Sequence, residues 1–175
     1  VEMRLKQIER EGTMMKAEVL LKQVAPLTVA GAREVVPKPE LMRERCIALN
    51  DAACALLDAA KLKTDGVSLA LYYSSDERGI DVEMAYAVDA ASPQTSAGSA
   101  QVHTLPAVQV AYAVYKGSYD DFGAVGQLHE QIMRWIEAND YCIGGASREW
   151  YLRPPQKADD HDAVRAIGSL AQAVI

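Results

Sequence analysis

Cysteine is scarce in this 175-residue chain, and the cysteines that occur follow no metal-ligand spacing. They are Cys46, Cys54 and Cys142. Their odd number and wide separation argue against a disulfide framework and against a zinc motif. We therefore predict that all three are reduced, small and mostly buried, as is usual in a cytoplasmic protein.

Basic charge and long apolar runs are lacking as well. The formal net charge is -6, the pI is about 5.1, and Lys and Arg form no cluster. Such a chain is poorly suited to binding nucleic-acid phosphates by itself. No apolar run approaches the roughly 20 residues that a membrane-spanning helix requires. We expect no contact with a membrane and no direct contact with DNA.

Motifs for catalysis and for cofactors are missing too. The sequence contains no signature of a nucleophile–base–acid triad, no phosphate-binding loop and no metal motif. His103, His129 and His161 are scattered singly, which favours surface or capping roles. We predict no catalytic residue, no cofactor and no metal site.

A pattern of strands and helices is present, and it occurs twice. The first copy has predicted strands at 18–24, 27–35, 67–73 and 80–88, with an amphipathic helix that starts after Pro37 and Pro39. Its first two strands, joined through Ala25 and Pro26, are predicted to pair with each other. A linker at 90–100 follows. The second copy has predicted strands at 102–105 and 107–115, a helix at 120–138, a strand around Glu149 and a last strand at 163–170.

The two copies keep a constant register. Leu49 and Leu128, Ala53 and Ile132, Leu57 and Ile136, and Tyr72 and Tyr151 are each 79 positions apart. A long period that occurs only twice indicates two similar halves. The predicted fold is α+β: two strand-strand-helix-strand-strand units form one antiparallel sheet with both helices on one face. The other face is predicted to carry a ligand cleft on the pseudo-twofold axis.

Glu149 is the residue of this pattern that most needs a partner. Strand alternation within residues 148–152 puts Glu149 and Tyr151 on one face and Trp150 on the other. If Trp150 faces the helices, Glu149 lines the cleft, where a desolvated carboxylate requires a partner. The repeat places Ala70 at the equivalent position, so that only one half carries the carboxylate, and this asymmetry indicates a ligand. The alternative is a solvated sheet face on which Glu149 has no function.

Three segments resemble a known family. They are residues 111–122 (AYAVYKGSYDDF), 135–139 (WIEAN) and 145–154 (GASREWYLRP). With them the chain is similar to GyrI-like (gyrase-inhibitor-like) effector-binding domains over roughly residues 17–170. The resemblance implies the same duplicated fold, with halves at about 17–89 and 101–170.

Members of that family include C-terminal effector-binding domains of MerR-type and AraC-type transcription regulators, and stand-alone proteins. Residues 4–12 (RLKQIEREG) resemble the tail of the dimerisation helix that precedes this domain in MerR-type regulators. We therefore expect residues 1–12 to be the end of such a helix and the chain to be a piece of a longer regulator. That regulator would contact DNA through a separate domain and form a homodimer through this helix.

The resemblance also implies a ligand site. In multidrug-binding members a glutamate at the place of Glu149 meets cationic aromatic ligands, and aromatic residues wall the pocket. The resemblance assigns three residues to the ligand site, Glu149, Tyr151 and Tyr119. Strand geometry adds Tyr72 and Tyr112. We expect a lipophilic cation as the ligand, with cation–π contacts of about 0.5–2 kcal/mol each.

Two features are not part of the ligand site that the resemblance implies. Glu83, on the matching strand of the first half, is predicted to lie at a solvated edge, with a second carboxylate in the cleft as the alternative. Residues 163–175 depart from the strand that usually closes the family's domain, so that contacts made by that strand are not carried over.

Three functions are compatible with these residues. The first is a sensor domain of a transcription regulator. The second is a stand-alone hydrolase of reactive small molecules. In it Glu149 would act as a general base, and burial would raise its pKa. The third is a module that inhibits a partner protein, as the family's namesake does.

Overall fold

The computed structural model describes residues 18–118, 121–153 and 163–173, and the predicted helix at 1–12 lies outside them. Ten strands and two α-helices occur in these ranges. The strands are β1 (Leu20–Val24), β2 (Leu27–Val36), β3 (Thr64–Asp76), β4 (Gly79–Val88), β5 (Ser96–Ala97), β6 (Ala100–Leu105), β7 (Val108–Lys116), β8 (Tyr141–Ile143), β9 (Ser147–Arg153) and β10 (Val164–Ala173). The helices are α1 (Met42–Ala59) and α2 (Phe122–Ala138). The predicted α+β class with an antiparallel sheet is confirmed.

Helix α1 forms where the apolar stripe predicts it. A single 3₁₀ turn at Pro39–Leu41 leads into the helix. Proline suits this place because a backbone N–H in the first turn has no acceptor within the helix, so the N–H that proline lacks is not missed. The buried side chains of the helix are Leu49, Ala53, Leu56 and Leu57. Their three- and four-residue spacing makes one face, which packs on the first half of the sheet.

Helix α2 begins at a capping residue. The carboxylate of Asp121 accepts a hydrogen bond from the backbone N–H of Ala124 at 3.0 Å, which satisfies a first-turn donor. Leu128, Ile132 and Ile136 are buried against the second half of the sheet. The helix thus matches the predicted range of 120–138 closely.

The order of strands in the sheet is β1-β7-β10-β9-β3-β4-β2-β6-β5, and β8 pairs with β10. Strand β1 pairs with β7, whereas β2 pairs with β4 and β6, so the predicted pairing of the first two strands is wrong. A two-residue hairpin loop needs positive φ angles. The ring of Pro26 holds its φ at about −65°, and a residue before proline, such as Ala25, is held extended. The chain therefore continues into the other half, and it does so again at Pro106.

This exchange of strands curls the sheet. Three Cα steps join Val24 to Leu27, so these residues lie within about 11 Å of each other. Across the sheet, six strand spacings of about 4.8 Å separate β1 from β2. The sheet must therefore bend until its two ends approach each other. The curl encloses the face of the sheet that the helices do not cover. The evidence is a buried core on that face. This core comprises Val29, Leu69, Leu71, Ala85 and Leu105, with Trp150 packed against it.

Cross-strand pairing shows which residues share a face. One row of directly paired residues crosses the middle of the sheet and consists of Ala113, Ile167, Glu149 and Ala70. Helix α1 packs on Ala70, and α2 packs on Ala113 and Ile167, so both helices cover one face, as predicted. Glu149 lies on that same face, and Trp150 lies on the other, so the predicted facing of these two residues is wrong. Alternation decides which residues share a face, but not which face the helices cover.

A second buried carboxylate lies on the helix-free face. Glu83 is 2% exposed and accepts hydrogen bonds from the Tyr73 hydroxyl and from His103 Nε2, each at 2.6 Å. The guanidinium of Arg33 stacks 3.6 Å from the centre of the Tyr73 ring. Both predictions for Glu83, the solvated edge and the cleft, are wrong. Strand β4 lies inside the sheet between β2 and β3, and the curl buries this face.

The cysteines and the helices bear on two further predictions. Cys46, Cys54 and Cys142 are free. Cys46 and Cys54 are half-buried and Cys142 is exposed, so the prediction of burial is wrong for Cys142. In the described ranges, no helix combines the length and the apolarity that crossing a bilayer demands.

Candidate functional site

Glu149 lies at the junction of the two halves. It is in β9, between β3 of the first half and β10 of the second, and it is 4% exposed. Three side chains donate hydrogen bonds to its carboxylate. His129 Nε2 lies 3.3 Å from Oε1, and the Tyr151 hydroxyl and Arg165 Nη1 lie 3.2 and 3.3 Å from Oε2. The burial that would isolate this charge is therefore matched by donors on both carboxylate oxygens.

These partners keep Glu149 ionised. Burial is the largest single influence and acts to raise the pKa of the carboxyl. The hydrogen bond from His129, the charge of Arg165 and the hydrogen bond from Tyr151 act in the opposite direction. Together they outweigh burial, and the pKa of Glu149 lies below its ordinary value. At neutral pH the site therefore contains a buried negative charge.

Arg165 is held firmly in this arrangement. It lies on β10, an inner strand between β7 and β9, and is 5% exposed. Its guanidinium carbon lies 5.3 Å from the centre of the Tyr115 ring, within cation–π range. Arg165 therefore acts as a fixed positive charge beside Glu149.

Two tyrosines flank Glu149 on the same face. Tyr151 is two residues along β9, and Tyr72 lies on β3, two residues from Ala70. Burial, followed by the negative charge of Glu149, raises the pKa of both hydroxyls. Both tyrosines therefore remain neutral donors with aromatic faces throughout the physiological pH range.

A cleft of about 360 Å³ opens beside these residues. Its lining combines hydroxyl groups, apolar side chains and one imidazole. The lining residues are Tyr72, Ser74, Ser75, Ile80, His129, Met133, Ile143, Gly145, Ser147 and Ser169. His129 and Met133 come from α2, so the cleft lies on the helix face and not, as predicted, on the opposite one. The curl explains the difference, because it fills the helix-free face with core residues.

The structure brings together three of the five predicted ligand-binding residues. Tyr72 lines the cleft. Glu149 forms a hydrogen bond with the lining residue His129, and Tyr151 forms one with Glu149. Tyr112 does not: it pairs with Gly168 on the helix-free face. Tyr119 lies outside the described residues.

Sequence reasoning missed two partners of Glu149. His129 was expected to be a surface or capping residue, yet it contacts the carboxylate and lines the cleft. Its position four residues before Met133 on α2 was an available signal, since both share one helix face. Arg165 lies in the segment that departs from the family's usual closing strand. A lone charged residue among apolar neighbours in a predicted strand was the signal there.

The lowered pKa of Glu149 bears on the predicted alternative in which this residue is a general base. A general base works best with a pKa raised towards neutrality, whereas the pKa of Glu149 is lowered and its lone pairs already accept three hydrogen bonds. In the part of the chain that the structure describes, no group of three or more His, Cys, Asp or Glu could hold a metal ion.

Comparison with known proteins adds an independent finding. Residues 17–165 match the GyrI-like small molecule binding domain. The chain is similar to the EcmrR C-terminal domain, with 22% identity and a TM-score of 0.76 over 91% of this chain and 100% of that one. It is also similar to EcmrR in an EcmrR–DNA complex, with 20% identity and a TM-score of 0.76 over 99% of this chain and 64% of that one.

A third similar structure is SAV2435 bound to tetraphenylphosphonium, with 18% identity and a TM-score of 0.55 over 89% of this chain and 94% of that one. No curated protein matches the sequence. The family match covers most of the chain and agrees with its fold and with the resemblance of its motifs. The chain therefore belongs to the GyrI-like small-molecule binding domains.

Proposed function

We propose that this chain is the effector-binding (sensor) domain of a MerR-type transcription regulator and that its ligands are lipophilic, aromatic cations. One observation carries the proposal: an ionised, buried carboxylate lies beside an open cleft where the two halves meet. Glu149 supplies the charge, and Tyr72 and Tyr151 supply hydroxyls and aromatic faces around it.

The physical chemistry of the site favours this ligand class. A delocalised cation is weakly hydrated, so it loses little on leaving water and gains from a carboxylate in a low-dielectric site. Contacts with tyrosine faces add on the order of 0.5–2 kcal/mol each. Charge and stacking demand little exact shape, which suits a domain that binds several different drugs.

The relatives support the proposed context. SAV2435 was solved with tetraphenylphosphonium, a lipophilic aromatic cation. This chain spans only 64% of the EcmrR chain in the DNA complex. With a net charge of -6, the chain is expected to contact DNA only through a separate domain, and a homodimer would form through the predicted N-terminal helix.

The proposal can be tested by titrating the protein with tetraphenylphosphonium in a calorimeter. We expect Glu149→Gln to bind the cation at least about tenfold more weakly than the wild type, because the variant lacks the charge that the cation meets. Glu130→Gln is the matched control, since Glu130 is an exposed carboxylate on α2 one residue from His129. Circular dichroism would check that both variants are folded. Equal affinity of Glu149→Gln and wild type would overturn the proposal.

A further inference from the structure

The three donors to Glu149 differ in how firmly they are held. Arg165 is buried on an inner strand, and Tyr151 is held on the same strand as Glu149. His129 projects from α2, and 31% of its side chain is exposed. Of these three, His129 is the one that also lines the cleft.

The carboxylate oxygens differ in the same way. Oε2 accepts hydrogen bonds from Tyr151 and Arg165, which do not line the cleft, whereas Oε1 accepts one from His129, which does. A molecule in the cleft therefore meets the imidazole before it meets the carboxylate. To reach Oε1 it must displace the imidazole and break the hydrogen bond of 3.3 Å.

We infer that His129 competes with cationic ligands for Glu149, because its imidazole bonds to the carboxylate from the wall of the cleft. A cation that displaces the imidazole replaces the lost hydrogen bond with its own charge. A neutral molecule of the same shape has no charge to offer, so it binds in the outer cleft and leaves the imidazole in place. His129 thus lowers the affinity for cations, and only those that interact strongly with Glu149 overcome this competition. The inference rests on the proposed function, because it assumes that cations reach Glu149.

The test uses two probes of similar shape: methyltriphenylphosphonium, which is a cation, and triphenylphosphine oxide, which is neutral. Their affinities are measured by calorimetry for the wild type, His129→Ala and His129→Gln. We expect His129→Ala to bind the cation about tenfold more tightly, since a hydrogen bond to a charged group is worth roughly that factor. Its affinity for the neutral probe should stay within about twofold. His129→Gln keeps an N–H donor and should bind the cation as the wild type does.

His103→Ala is the matched control. His103 makes the same kind of contact with a buried glutamate, Glu83, but on the helix-free face. We expect this variant to bind both probes as the wild type does. An increase for both probes alike in His129→Ala would mean that the imidazole only fills space, and this result would overturn the inference.

Unchanged or weaker cation binding by His129→Ala would also overturn the inference. Glu149→Gln separates this failure from a failure of the proposed function. If Glu149→Gln binds the cation as well as the wild type, both ideas fail. If Glu149→Gln binds it weakly while His129→Ala is unchanged, only the role of His129 fails.

Discussion

Replacing Arg165 by methionine would leave Glu149 as a buried charge without its nearest cation. Arg165 and Glu149 are both nearly inaccessible to water, and Nη1 lies 3.3 Å from Oε2. Removing one partner of a buried ion pair costs about 3–5 kcal/mol of the free energy of unfolding. His129 and Tyr151 still donate to Glu149, so we expect a loss near the lower end, about 3 kcal/mol at neutral pH.

The pH dependence of stability should also change. In the wild type the pKa of Glu149 is lowered below its unfolded value of about 4.3. The stability contributed by this group is therefore fully present above that pH and is lost as the pH falls through the folded pKa. Arg165→Met removes one of the influences that lower this pKa, while the hydrogen bonds from His129 and Tyr151 remain, so the pKa of Glu149 should rise relative to the wild type. The stability lost in Arg165→Met should therefore be largest near neutral pH and should shrink as the pH falls and Glu149 becomes protonated.

Urea denaturation at about pH 7.5 and about pH 4 measures both effects. Arg134→Met is the control, because Arg134 forms an exposed pair with Glu130 and its loss should cost less than about 0.5 kcal/mol. A double variant, Arg165→Met with Glu149→Leu, removes both charges and should recover most of the lost stability. The reasoning is refuted if Arg165→Met loses less than about 0.5 kcal/mol, or if the double variant is no more stable than the single one.

Two further predictions concern Glu83 on the helix-free face, and both are measured by urea denaturation. Tyr73→Phe removes the hydroxyl that donates to the buried Glu83 carboxylate at 2.6 Å, and we expect a loss of about 1–3 kcal/mol. An unchanged midpoint would show that water replaces this hydroxyl. Gly31→Ala would place a Cβ only 2.1 Å from Glu83 Oε1 and 2.9 Å from the Ala85 Cβ, so we expect a loss of at least about 1–3 kcal/mol. A variant as stable as the wild type would contradict the tight packing of this face.

Both halves of the sequence contribute to the sheet around the cleft and to the cleft itself. Strand β1 lies in the sheet half that contains β7, and β6 lies in the half that contains β2. The cleft is built from β3 and β4 on one side and from α2 and β9 on the other. Neither sequence half alone contains the complete wall, so the site depends on the whole domain.

Much of the local structure could be predicted from the sequence because it depends on neighbouring residues. The amphipathic helices α1 and α2 and the shared face of Glu149 and Tyr151 follow from helix and strand periodicity. The repeat of 79 positions revealed the duplication in the same way. These predictions hold because each compares residues that are close together or in register along the chain.

Only the tertiary structure decided which face of the sheet the helices cover, which strands pair, and which side chains reach Glu149. Strand alternation places Glu149 and Trp150 on opposite faces of the sheet, but it does not indicate which of these faces packs against α1 and α2. Pro26 carries the chain across to the other half, and that exchange curls the sheet and buries the face that had been expected to open. His129 and Arg165 each lie 16 or more positions from Glu149, and no periodic pattern could join them to it. Their contact exists because α2 and β10 pack beside β9, and it turns an apparently isolated acid into a buried charge with its own donors.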